Sequence, residues 1–246
     1  MLCLHGYNLT AEIHRYMLRE FEQYYKDVMD FYYVDGPHEC QEEPGDYFVS
    51  KGHPGPYRSW LKFEAWKLGK SDDDEEKQAP NVIFGLEDST NVILDMMRKH
   101  GPFDGIIGFS QGSIIFRHFY RLTQDIDPQA FDIPCEMPKF IISFSGPLFK
   151  TSKITYKGQL YAQDDYKYSV ESIHIYGEKD IYLEALIESE YYNKNPVIVK
   201  HSDGHKIPKD FTEEHRQIIN DFIKDKYVKK YGSEEGFKVQ EINQKL

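Results

Sequence analysis

Short apolar runs that stop at glycine or at a turn alternate along this chain with longer stretches whose apolar residues recur at helical spacing. That order leaves few folds open. Residues 2–5 form an apolar run ending at Gly6. Over residues 10–25, Ile13, Tyr16, Met17, Phe21, Tyr24 and Tyr25 recur at helical spacing, with Thr10 as the expected N-cap. Residues 31–34 read as a second strand, stopped by Asp35, Gly36 and Pro37. A helix is expected from a cap at Asp88 or Ser89 to about Lys99, then a strand over 104–109 and a helix from Gln111 to about Leu122. Strands follow at 139–144, 172–176 and 196–200, and a last helix at 210–227. Such alternation predicts an α/β fold with a mostly parallel central sheet flanked by helices on both faces. Short strands without polar alternation suit burial on both sides.

Between about residues 39 and 80 the pattern breaks. Gly45, Gly52, Pro54, Gly55 and Pro56 interrupt it, and residues 72–76 are acidic. The reading is therefore one domain over residues 1–230 with an irregular insertion at about 39–80. A polar tail follows over 231–246, expected to be disordered from about Gly236. The acidic run reads as a solvated loop. No internal repeat is visible.

Composition narrows the function. The 246 residues are 40% hydrophobic and 15% aromatic, enough for a sizeable core, and the net charge is −11. That charge argues against a nucleic-acid partner, which requires a basic face to displace counterions. The Lys-rich residues 224–230 read as the solvated end of a helix. No apolar run is long enough to span a bilayer, and the first ten residues lack the basic and apolar regions of a secretory signal. Cys3, Cys40 and Cys135 cannot form a closed disulfide set, so a reducing, cytoplasmic setting is expected.

The sharpest local signal is Gly108-Phe109-Ser110-Gln111-Gly112, which fits G-x-S-x-G. The bare pentapeptide is a weak match, but here it lies between an apolar strand and an amphipathic helix. A strand-to-helix turn this tight strains its central residue, and flanking glycines avoid collisions of a Cβ with neighbouring backbone. Ser110 is then presented at a helix N-terminus, where a developing anion is favoured.

A serine hydroxyl needs a base to take its proton. In this architecture an acid and then a histidine follow the serine in the chain. Asp180 ends the Gly177-Glu178-Lys179-Asp180 turn after one strand, and His205 lies in the loop after the next. All three candidates fall outside the carboxyl ends of parallel strands, where ligands bind. Glu178 is an alternative to Asp180, and His201 to His205. Asp203 reads as a turn residue and His174 as a packed or surface histidine. The oxyanion donors expected are the backbone N–H of Gln111 and that of Tyr7, in the loop Leu4-His5-Gly6-Tyr7-Asn8.

Other motifs carry less. His201 and His205 have the i, i+4 spacing of zinc ligands, but Asp203 and Gly204 oppose a helix there and no Glu follows His201, so no metal site is expected. Phosphate-loop and dinucleotide fingerprints are absent. Asn8-Leu9-Thr10 matches a glycosylation sequon by coincidence.

Together the motifs resemble a known family. Leu2-Cys3-Leu4-His5-Gly6-Tyr7, Val34-Asp35-Gly36-Pro37-His38, Arg58-Ser59-Trp60 and Gly85-Leu86-Glu87-Asp88-Ser89 carry the resemblance. So do the Ser110 pentapeptide, Ser145-Gly146, Gly177-Glu178-Lys179-Asp180 and Gly204-His205-Lys206-Ile207-Pro208. They run in the order of the FSH-type serine hydrolases across roughly residues 2–225. The resemblance implies an α/β-hydrolase fold and a Ser110, Asp180, His205 triad. It further implies esterase or thioesterase activity on small acyl substrates, with no metal or organic cofactor. It also places Trp60 in an acyl pocket shaped by the irregular segment. The alternatives are an acyl-protein thioesterase or lysophospholipase, in which the same pentapeptide occurs, and a hydrolase-fold binding protein without chemistry.

Overall fold

The computed structural model describes residues 1–40, 49, 52–53, 55–63, 82–149, 153–162, 167–191 and 193–240. The acidic run at 72–76, and most of the irregular insertion, lie outside these.

Six parallel strands make the central sheet: β1 (Leu2–Leu4), β2 (Tyr32–Val34), β7 (Gly105–Phe109), β8 (Phe140–Phe144), β11 (Tyr168–Gly177) and β12 (Asn193–His201). Their order across the sheet is β12-β11-β8-β7-β1-β2, and every pairing is parallel. The side-chain period of two sends neighbouring residues to opposite faces. Cys3, Ile107, Ile142 and Ile175 enter a core with Ile13, Leu18 and Phe21 of α1 (Ala11–Tyr25), and Ile219, Phe222 and Ile223 of α5 (Glu213–Tyr231). Leu2, Leu4, Ile106 and Ile141 enter a second core with Ile93, Leu94 and Met97 of α2 (Leu86–His100). Ile115, Phe116 and Phe119 of α3 (Gln111–Arg121) complete it. Both faces are covered, as the strand composition requires. Each fully buried isoleucine in these layers stabilises by about 1.5–3 kcal/mol relative to an exposed one.

Several local expectations find their residues. Thr10 caps α1, its hydroxyl accepting the Ile13 N–H at 3.1 Å. Lys226, Lys229 and Lys230 pair with Glu171, Asp225 and Asp104, so the Lys-rich helix end has carboxylate partners. Cys3, Cys40 and Cys135 are free thiols. No helix of the described residues is long and apolar enough to cross a membrane.

Others need correction. Helix α2 starts at Leu86 after Gly85, whose φ of 81° is left-handed, and no side chain caps it. Asp88 and Ser89 therefore lie inside the first turn, where the acid still complements the helix dipole. The buried Ser89 hydroxyl instead donates to the Trp60 carbonyl. The final helix begins at Glu213, capped by Thr212, and continues to Tyr231. Residues 236–240 make contacts with the domain: Phe237 packs on Tyr227, and the Gln240 N–H reaches the Tyr24 carbonyl at 3.0 Å.

Three features escape the sequence reading: a short strand pair, a second sheet and a short helix. Strands β3 (His38–Glu39) and β4 (Arg58–Ser59) pair antiparallel. A second, four-stranded sheet joins β5 (Lys62–Phe63), β6 (Val82–Phe84), β9 (Lys153–Tyr156) and β10 (Gln159–Ala162) in the order β10-β9-β6-β5. A short helix, α4 (Leu183–Tyr191), separates β11 from β12.

Candidate active site

Ser110 follows β7 directly and precedes α3. Its φ of 50° and ψ of −114° put it in a sparsely populated conformation, a strain that the surrounding packing must hold. The flanking glycines explain how. A Cβ on Gly108 would lie 2.6 Å from the Ser113 nitrogen, and one on Gly112 would lie 1.9 Å from the Leu4 carbonyl oxygen. The start of α3 thus rests on the end of β1, as the pairing of Leu4 with Gly108 dictates. The Ser110 N–H is anchored to the Phe144 carbonyl at 2.9 Å.

His205 and Asp180 arrive from the loops after β12 and β11. His205 Nε2 lies 2.9 Å from Ser110 Oγ, and its Nδ1 lies 2.9 Å and 3.0 Å from the two Asp180 oxygens. An ionised carboxylate only accepts, so Nδ1 carries the proton and Nε2 accepts from the Ser110 hydroxyl. The Asp180 side chain is sealed, while that of His205 keeps 21% of its surface exposed. His205 is therefore open to solvent on one side and Asp180 is not. Burial works against the Asp180 carboxylate, but the bond and charge of His205 and the Tyr182 N–H outweigh it. Together they hold the carboxyl below the usual carboxylate range. Phe109 and Tyr182 flank the imidazole, with ring centroids 5.3 Å and 5.2 Å away.

The rival residues sit elsewhere. Glu178 is exposed. His201 is the buried last residue of β12, and its Nδ1 accepts the Asp203 N–H at 3.3 Å. Asp203 pairs with Lys206 at 3.0 Å. His174 is packed inside, between the hydroxyls of Ser172 and Ser189. Among the described residues, no group of three or more His, Cys, Asp or Glu side chains is placed to hold a metal ion. Cavities of about 20 Å³ beside Phe211 and about 230 Å³ beside Phe103 are lined by none of the triad candidates.

Trp60 departs from expectation. It has no exposed surface, so it does not line an open pocket. It is a strut. Its indole Nε1 donates to the His5 carbonyl at 3.0 Å, and its backbone N–H donates to Gln111 Oε1 at 2.7 Å. The Gln111 side chain also donates to the Leu61 carbonyl at 3.0 Å. Sequence reasoning used only the backbone of Gln111 and of the Leu4–Asn8 loop, and missed these side chains. It also missed Arg117, buried in α3, whose guanidinium donates to the carbonyls of Gly146 and Pro147. Burial lowers its pKa to about 10, which still leaves it charged. An arginine among the apolar residues of that helix was the available signal.

A family model described as "Serine hydrolase (FSH1)" matches residues 1–217. Esterase CG5412 of Drosophila melanogaster is 28% identical over 231 residues, covering 92% of this chain and 74% of that protein. Esterase OVCA2 of Homo sapiens is 25% identical over 216 residues, covering 85% of this chain and 88% of that one. Among solved structures, acyl-protein thioesterase 2 of Zea mays aligns with a TM-score of 0.52 at 13% identity, covering 92% of each chain. At that identity the likeness concerns the fold, which is the α/β-hydrolase fold.

Proposed function

Because this chain belongs to the serine hydrolase (FSH1) family, we propose that it is an acyl hydrolase in which Ser110, His205 and Asp180 cleave carboxylic esters or thioesters. The observation that carries this reading is the continuous line of hydrogen bonds from the Ser110 hydroxyl through His205 to the sealed Asp180 carboxylate.

Ser110 Oγ attacks the acyl carbonyl carbon while His205 Nε2 takes the hydroxyl proton. The carbonyl electron pair moves onto oxygen, and the resulting oxyanion is met by the N–H groups of Gln111 and Tyr7. Asp180 keeps the imidazole in the right tautomer and stabilises its cation. The tetrahedral intermediate collapses, the bond to the alcohol or thiol breaks, and His205 returns the proton to that leaving group. Water, deprotonated by His205, then attacks the acyl carbonyl; the bond to Ser110 Oγ breaks, His205 returns the proton to that oxygen, and the acid leaves. The chemistry as written uses side chains, backbone N–H groups and water. The partner is a small acyl ester or thioester, and three free thiols suit a reducing compartment such as the cytoplasm.

A fluorophosphonate probe, with the adduct located by mass spectrometry, tests the assignment. The expected result is a single adduct on Ser110, absent from Ser110→Ala, with hydrolysis of short acyl esters lost in parallel. Wild-type hydrolysis by a folded Ser110→Ala variant would overturn it.

A further inference from the structure

We propose that His5 is a positioning residue of the oxyanion hole, which clamps the Gly6–Tyr7 peptide so that the Tyr7 N–H points at the reacting oxygen. This rests on the functional reading above.

The His5 ring is fully buried, and both ring nitrogens are engaged by backbone. The Gly36 N–H donates to Nε2 at 2.8 Å. A backbone N–H can only donate, so Nε2 carries no proton and Nδ1 does. Nδ1 lies 2.7 Å from the Gly6 carbonyl oxygen and donates to it. Burial supports the neutral ring, pushing its pKa down to about 4.

The consequence lies in the next peptide. A trans peptide carries its C=O and the following N–H on opposite sides, and the Gly6–Tyr7 bond is not among the cis bonds of the described residues. Fixing the Gly6 oxygen on His5 therefore fixes the direction of the Tyr7 N–H. Glycine gives that peptide more freedom to rotate than any other residue, so a clamp is needed there.

The clamp is itself held by the opposite loop. Trp60 Nε1 holds the His5 carbonyl, and Gln111 holds the Trp60 backbone. The two expected oxyanion donors, on Tyr7 and Gln111, are thereby tied to one segment. The hydrogen bonds of His5 go to Gly6, Gly36 and Trp60 and not to Ser110 or His205, so its role is orientation and not proton transfer.

Two measurements test this. In the wild-type protein, imidazole ¹⁵N and ¹³C shifts should show His5 as the neutral Nδ1–H tautomer between about pH 5.5 and 8. An Nε2–H tautomer or a protonated ring would overturn the proposal, with no variant needed. The second measurement uses an alkyl trifluoromethyl ketone. Ser110 Oγ adds to its carbonyl carbon, the hydroxyl proton passes to His205, and an oxyanion forms on the ketone oxygen. In His5→Phe, kcat and the affinity for this ketone should both fall about 100-fold, while KM changes by less than about threefold. Affinity for the non-fluorinated ketone should not change. Trp60→Phe, which removes the bond to the His5 carbonyl and shortens the buried ring beside His5, should show the same matched loss at roughly 3–10-fold. Should His5→Phe fail to fold, the tautomer and Trp60→Phe still decide. Ketone binding equal to wild type in a folded His5→Phe would overturn this proposal alone. A wild type that forms no adduct on Ser110 would overturn the functional reading and the proposal together.

Discussion

The Gln111 side chain accepts the Trp60 backbone N–H at 2.7 Å, so the residue next to the nucleophile fastens a segment 51 positions earlier in the chain. This link is buried at both ends. Replacing Gln111 by Ala leaves the N–H of Trp60 and the C=O of Leu61 without their partner. Each buried, unpaired group costs about 1–3 kcal/mol. A melting temperature lowered by roughly 4–20 °C is expected for Gln111→Ala in circular dichroism. An unchanged melting temperature would mean that water replaces the glutamine without cost.

Asp180 and Glu178 separate by a pair of conservative substitutions. Asp180→Asn keeps the size but removes the charge that fixes His205, and kcat should drop on the order of 10³–10⁴-fold. Glu178→Gln, at an exposed position, should stay within about twofold of wild type. The reverse order in steady-state ester hydrolysis would assign the acid to Glu178.

Gly112→Ala probes the contact between α3 and β1. The added methyl would meet the Leu4 carbonyl oxygen at 1.9 Å, so backbone must move. A loss of roughly 3 kcal/mol or more is expected, about 6–12 °C in melting temperature. Gly158→Ala is the control. It has nothing within 4 Å of the new atom, and only its left-handed φ of 73° opposes the change, at about 1–2 kcal/mol. Equal losses in the two variants would refute the steric account.

Acid should weaken the fold through buried histidines. Burial lowers the pKa of His5 to about 4, and burial with Arg117 nearby lowers those of His118 and His174 to about 3. The unfolded chain takes up these protons first, near pH 6.5. Their contribution is therefore complete above about pH 6.5 and declines as pH falls towards 3–4, by up to ~1.4 kcal/mol per pH unit for each histidine. Urea midpoints should drop clearly between pH 7 and pH 5. A midpoint that holds steady over that range would show that the three rings are not buried neutral.

The legible part of the molecule was the part that local chemistry specifies. Thr10 announced α1, the apolar runs announced the six central strands, and the Ser110 pentapeptide needed only the strand before it and the helix after it. His205 and Asp180 followed from chain order and from the rule that parallel strands present their ligands at one end. What stayed hidden depends on distant partners. The two-residue pairs His38–Glu39 with Arg58–Ser59, and Lys62–Phe63 with Val82–Phe84, are too short for a period of two to show. Helix α4 spans nine residues, with Leu186 as a buried anchor, so its helical period hardly repeats. Gly85 caps α2 by backbone conformation, where the reading sought a side chain. Trp60 was placed in a pocket by the family resemblance alone. Only its bonds to His5 and Gln111 reveal a strut.

Strand β12 lies at the edge of the sheet, held on one side by β11. It delivers His205 from 95 positions beyond Ser110. A chain truncated before residue 205 therefore keeps Ser110 but loses the imidazole that accepts its hydroxyl.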